Sequence, residues 1–515
     1  MSSKAHRGKV LSFCSATVTV MIFCLFSWMV FANIFSQANC SEGLFILFCV
    51  FSLLMLLSVW PVLVKRLRNG AKKAINNTKF IGVCFCCIFV IGCMARFGFI
   101  FFNYIPTSDP AVFYDTAMEI VETGNMYGNT YVGRYPYTGA YDMLLSLVLY
   151  VLPGHAGIIT LNTMCDAITV LFLAVLIWVV THKMGYVFLA ASIWWISPFN
   201  VVFCALSLPV IVVNMFIMLI LLLFVFALNN ISSPLRAVGF GLAIGLIMGI
   251  ANSFRPLMAV FAVAFIVFSI VKYFTANQDR RKKLLSSILA TIAMLLMLNC
   301  VNFAYEKIIY NKTGLEPNTS GAGWTIFVGS NYESWGCWNE TDSQYYAALC
   351  EQYDGDYSSV SMRLQYEGID RWKSLDSIEV VELILRKSVK LVGDQQNMIY
   401  NLKMSYPFFG EHERAMNIMH IVCAFWWFVI LGLSTVFAYI RVKRRNRYNT
   451  QWNYLNLFEI SLIGMFFAYL LVEVANRYFT VFFPMMVFEV IIGTYYCLNS
   501  SFFESETQDL CVTNT

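Results

Sequence analysis

The feature that most limits this chain is a succession of apolar runs, each about 20 residues long and separated by short polar joints. A bilayer accepts such runs as helices, because each helix satisfies its own backbone hydrogen bonds. Composition agrees: 59% of the 515 residues are hydrophobic and 13% are charged, about half the charged share of a soluble domain. The chain therefore reads as an all-α, multi-pass integral membrane protein. Its N-terminus, MSSKAHRGKV, leads into an apolar run too long for a signal-peptide core, with no small-residue cleavage site, and is read as a retained first span.

The expected spans fall near 9–34, 44–64, 79–102, 157–181, 186–203, 209–228, 236–252, 256–274, 284–305, 415–440, 457–473 and 477–498, a bundle of about twelve transmembrane helices. Basic clusters stand at Lys4/Arg7/Lys9, Lys65/Arg66/Arg68/Lys72/Lys73/Lys79, Arg280/Arg281/Lys282/Lys283 and Arg441/Lys443/Arg444/Arg445/Arg447. An even number of spans separates each cluster from the next, so all four share the cytoplasmic side with both termini. The apolar stretch 141–152 is too short to cross, and parity makes it an interfacial or re-entrant helix on the outer face.

This topology divides the chain into four parts. Residues 1–78 form a two-helix hairpin with a basic cytoplasmic loop, and 79–305 a membrane core whose first outer loop is 103–157. Residues 306–413 form a small extracytoplasmic loop domain, and 414–515 the last helices and a cytoplasmic tail. No internal or inverted repeat is visible, which disfavours a common transporter plan. The net charge of +5 lies mostly on the cytoplasmic side and calls for no nucleic acid. Most of the 16 cysteines, such as Cys84, Cys86, Cys87, Cys93 and Cys204, lie in expected spans as small apolar residues. Cys40, Cys337 and Cys350 face outward, and a Cys337–Cys350 pairing stays open. No metal site is read from the histidines and cysteines.

The outer loop carries the first chemistry. In "YIPTSDPAVFYDTAMEI", Asp109 before Pro110 reads as an N-cap, and Gly124 as the stop of a helix of about thirteen residues. Three arginines join it on the same face: Arg96 near the outer end of the third span, Arg255 in "SFRPL", and Arg477 in "EVANRYF". Each alone could snorkel or pair with a carboxylate, and Glu473 and Arg477 stand at helical i,i+4 spacing. Three arginines and an aspartate on one membrane face suggest a cavity for an anionic ligand, since guanidinium presents a planar fork of donors to phosphate.

The order of motifs resembles the GT-C glycosyltransferases of the protein O-mannosyltransferase and aminoarabinose-transferase type. The matching residues are Ser108-Asp109-Pro110 with Tyr114, Ala117 and Gly124; "GRYPYTGAYDMLLSLVLYVLPG"; "GIANSFRPLMAV"; "IFVGSNYESWGCWNETD"; and "VEVANRYFTVFFP". The resemblance spans about residues 79–498; the first two expected spans precede it. It implies a GT-C-like bundle with outer juxtamembrane helices, in a bacterial plasma membrane with its active site outside. It also implies inverting transfer of a sugar from a polyprenyl-phosphate donor to a hydroxyl of an extracytoplasmic glycan, lipid or protein. In that reading Asp109 is the general base, with Asp115 the alternative in the same loop. Arg255 and Arg477 hold the donor phosphate, helped by Tyr478 and Arg96. Tyr114, Tyr135, Glu473 and Trp338 contact substrate, with Trp324 and Trp335 as further stacking candidates. No cofactor is required, and a divalent cation stays an open option. Lys387 and Lys390, on an amphipathic stretch, read as interfacial.

Two other classes fit parts of the pattern. A polysaccharide polymerase or ligase would rely on outer-loop Arg and His, and His412 is the only histidine in the second outer segment. A lipid-linked-sugar flippase or transporter would carry charges through mid-membrane, whereas these gather at one face.

Overall fold

A computed structural model describes residues 2–38, 65–231, 233–274, 280–319, 321–393, 396–443 and 454–499. Within them every regular element is a helix. Eight helices are long and apolar enough to cross a membrane: Phe13–Ile34, Thr78–Phe101, His155–Thr181, Val210–Asn230, Pro234–Phe254, Leu284–Thr313, Glu413–Val442 and Tyr454–Leu471. The chain is thus a polytopic helical membrane protein, with fewer full-length spans among the described residues than the twelve expected. The expected span at 44–64 lies outside those residues.

Two expected spans differ for identifiable reasons. The run at 186–203 breaks into Met184–Trp195 and Pro198–Cys204, bent by 54°; Pro198 has no N–H to continue the first helix, and Ser197 before it is extended. The last span begins late. Residues 472–475 are not helical, a 3-10 turn covers Asn476–Val481, and the helix proper is Phe483–Asn499. That helix and Met258–Lys272 are apolar but shorter than the others. The 141–152 stretch folds as the short helix Gly139–Val151.

The Pro234–Phe254 and Arg280–Thr313 helices form the tightest pair. Gly241, Gly245 and Gly249 face the partner, and a Cβ on Gly241 or Gly245 would lie 2.3 Å from the carbonyl oxygen of Ala290 or Met294. Glycine at four-residue spacing lets the backbones touch, as membrane helices require when no hydrophobic force separates them from lipid. This contact fixes the helix end that presents Arg255. Elsewhere in the interior Arg441 meets Glu459, and Glu489 at 3.4 Å.

Leu391, Met398, Leu402 and Tyr406 pack into the main core, while residues 314–374 build a small domain on the same end of the bundle as Asp109. Its own core holds Trp324, Phe327, Val328, Tyr346, Leu349, Val360 and Leu364. It docks by backbone bonds onto the non-helical segment: the Glu473 N–H donates to the Thr325 carbonyl at 2.6 Å, and the Val474 N–H to the Gly336 carbonyl at 2.9 Å. Cys337 and Cys350 are thiols.

Candidate functional site

The Asp109–Thr123 helix is reached through Ser108, whose backbone sits at φ 57°, ψ −136°. Ser108, not Asp109, is the N-cap, and it makes no side-chain capping bond. Asp109 is the first helical residue and Pro110 follows it, where a missing N–H costs nothing. Gly124 ends the helix at φ 76°, with its N–H on the Ile120 carbonyl. Relieved of capping, the Asp109 carboxylate points outward. Its Oδ2 lies 2.6 Å from Arg477 Nη2, with the two side chains 31% and 23% exposed.

Arg477 reaches Asp109 because the chain leaves helical geometry after Leu471. The Glu473–Arg477 pairing that helical spacing allowed is therefore absent, and Asp109 takes the guanidinium. Burial opposes the Arg477 charge, but Asp109, Tyr478, Glu473 and Tyr131 together outweigh it and raise the pKa above the usual arginine value. Arg255 follows the last residue of its helix, Phe254, in extended conformation. Its guanidinium lies 4.0 Å from the Tyr478 ring centre, and Tyr478 stacks on Tyr469 at 5.3 Å. Arg255 forms no ion pair among the described residues. It is a half-buried cation with its donors uncommitted to carboxylate, beside a carboxylate–guanidinium pair.

Two further tyrosines close the cluster. Tyr131 is held within electrostatic reach of Asp109, Arg477 and Tyr478, and Tyr137 within reach of Glu473, Arg255 and Asp109. Burial pushes both phenols well above their ordinary range, so they stay neutral hydroxyl donors.

Glu473 lies half-buried behind this pair. Burial pushes its carboxyl up to about 7, with Asp109 adding to the rise and Arg477, Arg255 and Lys387 opposing it. Lys387, expected at the membrane interface, is instead fully buried. Its Nζ donates to the Gly329 carbonyl at 2.6 Å, and burial pushes the amine down to about 7. Lys387 shares one helix face with the buried Leu383 and Leu391, and that four-residue spacing was the signal available for its burial.

Other candidates stand apart. Arg96 does not join the phosphate group. It is fully buried and pairs with Asp166 at 2.5 Å. It also donates to the carbonyls of Gly92 and Trp195 and lies over the Trp195 ring. Asp166 in turn accepts from Trp194 Nε1 at 2.7 Å. A buried charge is least costly when paired, and Asp166 on the neighbouring helix offers that pairing. Asp115 is exposed, six positions along the helix from Asp109 and so on a different face. Tyr114 is half-buried against the main membrane core. Tyr135 packs its ring 6.1 Å from Tyr346 and joins the first loop to the small domain. Trp324 is a core residue stacked on Tyr346 at 5.0 Å, not a stacking platform. Trp335 lies under Arg386, whereas Trp338 is 56% exposed.

Among the described residues no group of three His, Cys, Asp or Glu side chains gathers as a metal site. What Asp109, Arg255, Glu473, Arg477, Tyr131, Tyr137 and Tyr478 can do together is bind an anion and accept a proton next to it. No family model, curated protein or solved structure matches the chain.

Proposed function

We propose that this protein is an integral-membrane glycosyltransferase of GT-C type. It moves a sugar from a polyprenyl-phosphate donor to a hydroxyl of an extracytoplasmic glycan, lipid or protein, with inversion. The observation that carries the reading is the Asp109–Arg477 pair, 2.6 Å apart, beside Arg255, which has no carboxylate partner of its own.

Asp109 accepts the acceptor hydroxyl's proton as the oxygen bonds to the anomeric carbon. The bond from that carbon to the phosphate oxygen breaks, and the electron pair leaves with the polyprenyl phosphate. Arg255, fixed on Tyr478, and the free face of Arg477 neutralise the charge that develops there. The apolar surface between the helices takes the prenyl chain. Arg96 has no part in this scheme.

The test is transfer from a labelled panel of polyprenyl-phosphate sugars to an envelope fraction, with the protein in nanodiscs. Asp109→Asn is expected to lower the rate about 10²–10⁴-fold, the usual contribution of a general base, while donor binding persists. Arg255→Ala is expected to weaken donor binding, and Asp115→Asn to act like wild type. Transfer undiminished in Asp109→Asn, or absent with every donor, rules the reading out.

A further inference from the structure

The small domain carries a groove that the transfer chemistry does not use. A concavity of about 570 Å³ is lined by Ser330, Asn331, Tyr332, Ser334 and Asn339, among others. A second, of about 480 Å³, is floored by Phe327 and edged by Tyr345. The two share Thr341, Asp342, Arg371 and Ser374, so they form one continuous groove past the Asp342–Arg371 pair. Each lobe falls within the range of about 300–1,000 Å³ usual for ligand sites.

The groove is a built structure. Asp342 is 2% exposed and accepts from Arg371 Nη2 at 3.0 Å, Asn331 Nδ2 at 2.9 Å and Asn339 Nδ2 at 2.8 Å. Arg371 lies flat on the Phe327 ring, 3.6 Å from its centre. These bonds hold the groove wall rigid and cancel its central charge. Along the second lobe Glu367 pairs with Arg363 and Asp370 with Lys373. The lining therefore offers no uncompensated cation to an anionic chain. It does offer hydroxyls and amides, with the Thr341 side chain exposed between the two lobes. Tyr345, 38% exposed, edges one lobe, and Trp338 stands on the chain between the lining residues Ser334 and Asn339. Polar donors and acceptors beside aromatic faces, in an elongated groove whose one unpaired charge is the exposed carboxylate of Glu333, suit a chain of neutral sugars and disfavour an anionic one.

A single loop links the groove to the backbone beside the transfer site. Ser330, Asn331 and Ser334 line the groove, and two residues on the Gly336 carbonyl accepts from Val474 N–H, adjacent to Glu473. We propose that this groove binds an uncharged oligosaccharide and is the acceptor subsite of the transferase, an assignment of its role that rests on the function proposed above.

The experiment titrates the full-length protein in nanodiscs, by calorimetry and tryptophan fluorescence, with maltohexaose, mannohexaose and chitohexaose. An oligogalacturonate hexamer and a Ser/Thr-rich peptide serve as anionic and polypeptide probes. Thr341 is exposed at the first turn of its helix, so Thr341→Trp fills the groove from the surface. At least one neutral hexasaccharide is expected to bind, about tenfold more weakly in Thr341→Trp and about three- to tenfold more weakly in Trp338→Ala. Thr341→Ser, the conservative variant, and Asp109→Asn should bind it like wild type. Binding of none of the three neutral chains, or binding indifferent to Thr341→Trp, overturns the proposal; capture of only the anionic chain or the peptide overturns the ligand class. Hexasaccharide binding without transfer from any donor refutes the transferase reading alone. Transfer to a bound hexasaccharide with unchanged KM in Thr341→Trp refutes the acceptor role alone.

Discussion

Lys387→Met should change the sign of its effect on stability with pH. Lys387 is fully buried, donates to the Gly329 carbonyl at 2.6 Å and lies 5.3 Å from the Trp372 ring centre. Burial, partly opposed by Cys337 and Glu473, lowers its pKa from 10.5 to about 7. Between those two values the unfolded chain holds a proton that the folded chain lacks, so lysine's contribution to stability rises with pH across the window. Below it both states are charged and the folded state bears the whole penalty. The shift, 10.5 − 7 = 3.5 units, corresponds to about 4–5 kcal/mol. Methionine removes that penalty but leaves the Gly329 carbonyl without its donor, a loss of about 1–3 kcal/mol. The variant is therefore expected to be more stable than wild type by about 2–4 kcal/mol at pH 6 and, with most of the penalty gone, less stable by up to about 2 kcal/mol at pH 10. Thermal unfolding in nanodiscs, followed by tryptophan fluorescence at pH 6, 8 and 10, reads the difference. A melting-temperature shift of the same sign at pH 6 and pH 10 would refute the argument.

Other perturbations probe separate contacts. Arg96→Leu strands a buried carboxylate and should destabilise by about 3–5 kcal/mol, most of it regained in the double variant with Asp166→Leu; additive losses in that double-mutant cycle would show that the two side chains act independently. Glu473 has its folded pKa raised from 4.5 to about 7, so its contribution is fully present below pH 4.5 and fades as pH rises to 7. Glu473→Gln should flatten that fall, seen as a smaller difference in melting temperature between pH 4.5 and pH 8, and an unchanged difference would count against the assignment. A Cβ on Gly329 would lie 2.4 Å from the Val472 carbonyl carbon, so Gly329→Ala should force the domain off its dock at a cost of about 1–3 kcal/mol. Hydrogen exchange at the Glu473 and Val474 amides should then accelerate, and unaltered exchange would mean the docking survives. Ser108→Gly should relieve about 1 kcal/mol of backbone strain yet slow transfer by loosening Asp109; a variant less stable than wild type would show that Ser108 is not strained.

What the sequence made legible was whatever depends on local composition. Apolar length marked the crossing helices, and the short 141–152 run was recognisable as unable to cross. Asp109, Arg255 and Arg477 were identifiable as charges at junctions, and the structure brings them together. The errors share a cause, the assumption that a neighbour in sequence is the partner in space. Glu473 and Arg477 suit each other only if the segment between them is helical, and the chain breaks there to accept the docked domain. Asp109 matches the usual cap chemistry, but nothing in a serine signals the left-handed φ of 57° that moves the cap one residue back. Arg96 needs knowledge of which helix faces which, since Asp166 lies 70 residues away. Lys387 is different: its place between Leu383 and Leu391 on one face was readable, and its charge concealed its burial.

The site draws its charges from helix ends and breaks instead of helix faces, and this has electrostatic consequences. Asp109 sits in the first turn of its helix, where the macrodipole favours an anion. Arg255 follows the last turn of its own, where a cation is favoured. Glu473 lies just beyond the end of the Tyr454–Leu471 helix, the wrong end for a carboxylate. The dipole is worth about 0.3–1 kcal/mol, or less than one pKa unit, at such a position. It therefore cannot by itself lift Glu473 to about 7, and burial must supply most of the rise. Asp109 is ion-paired with Arg477, whereas burial holds the Glu473 carboxyl near neutrality, and the docked segment bonds directly to the Glu473 backbone. Loosening the dock should restore Glu473 toward an ordinary carboxyl while leaving the Asp109–Arg477 pair in place. The pH profile of transfer in Gly329→Ala reads this directly: an inflection near pH 7 that moves to lower pH supports the coupling, and one that stays fixed means the Glu473 environment is built by the membrane helices alone.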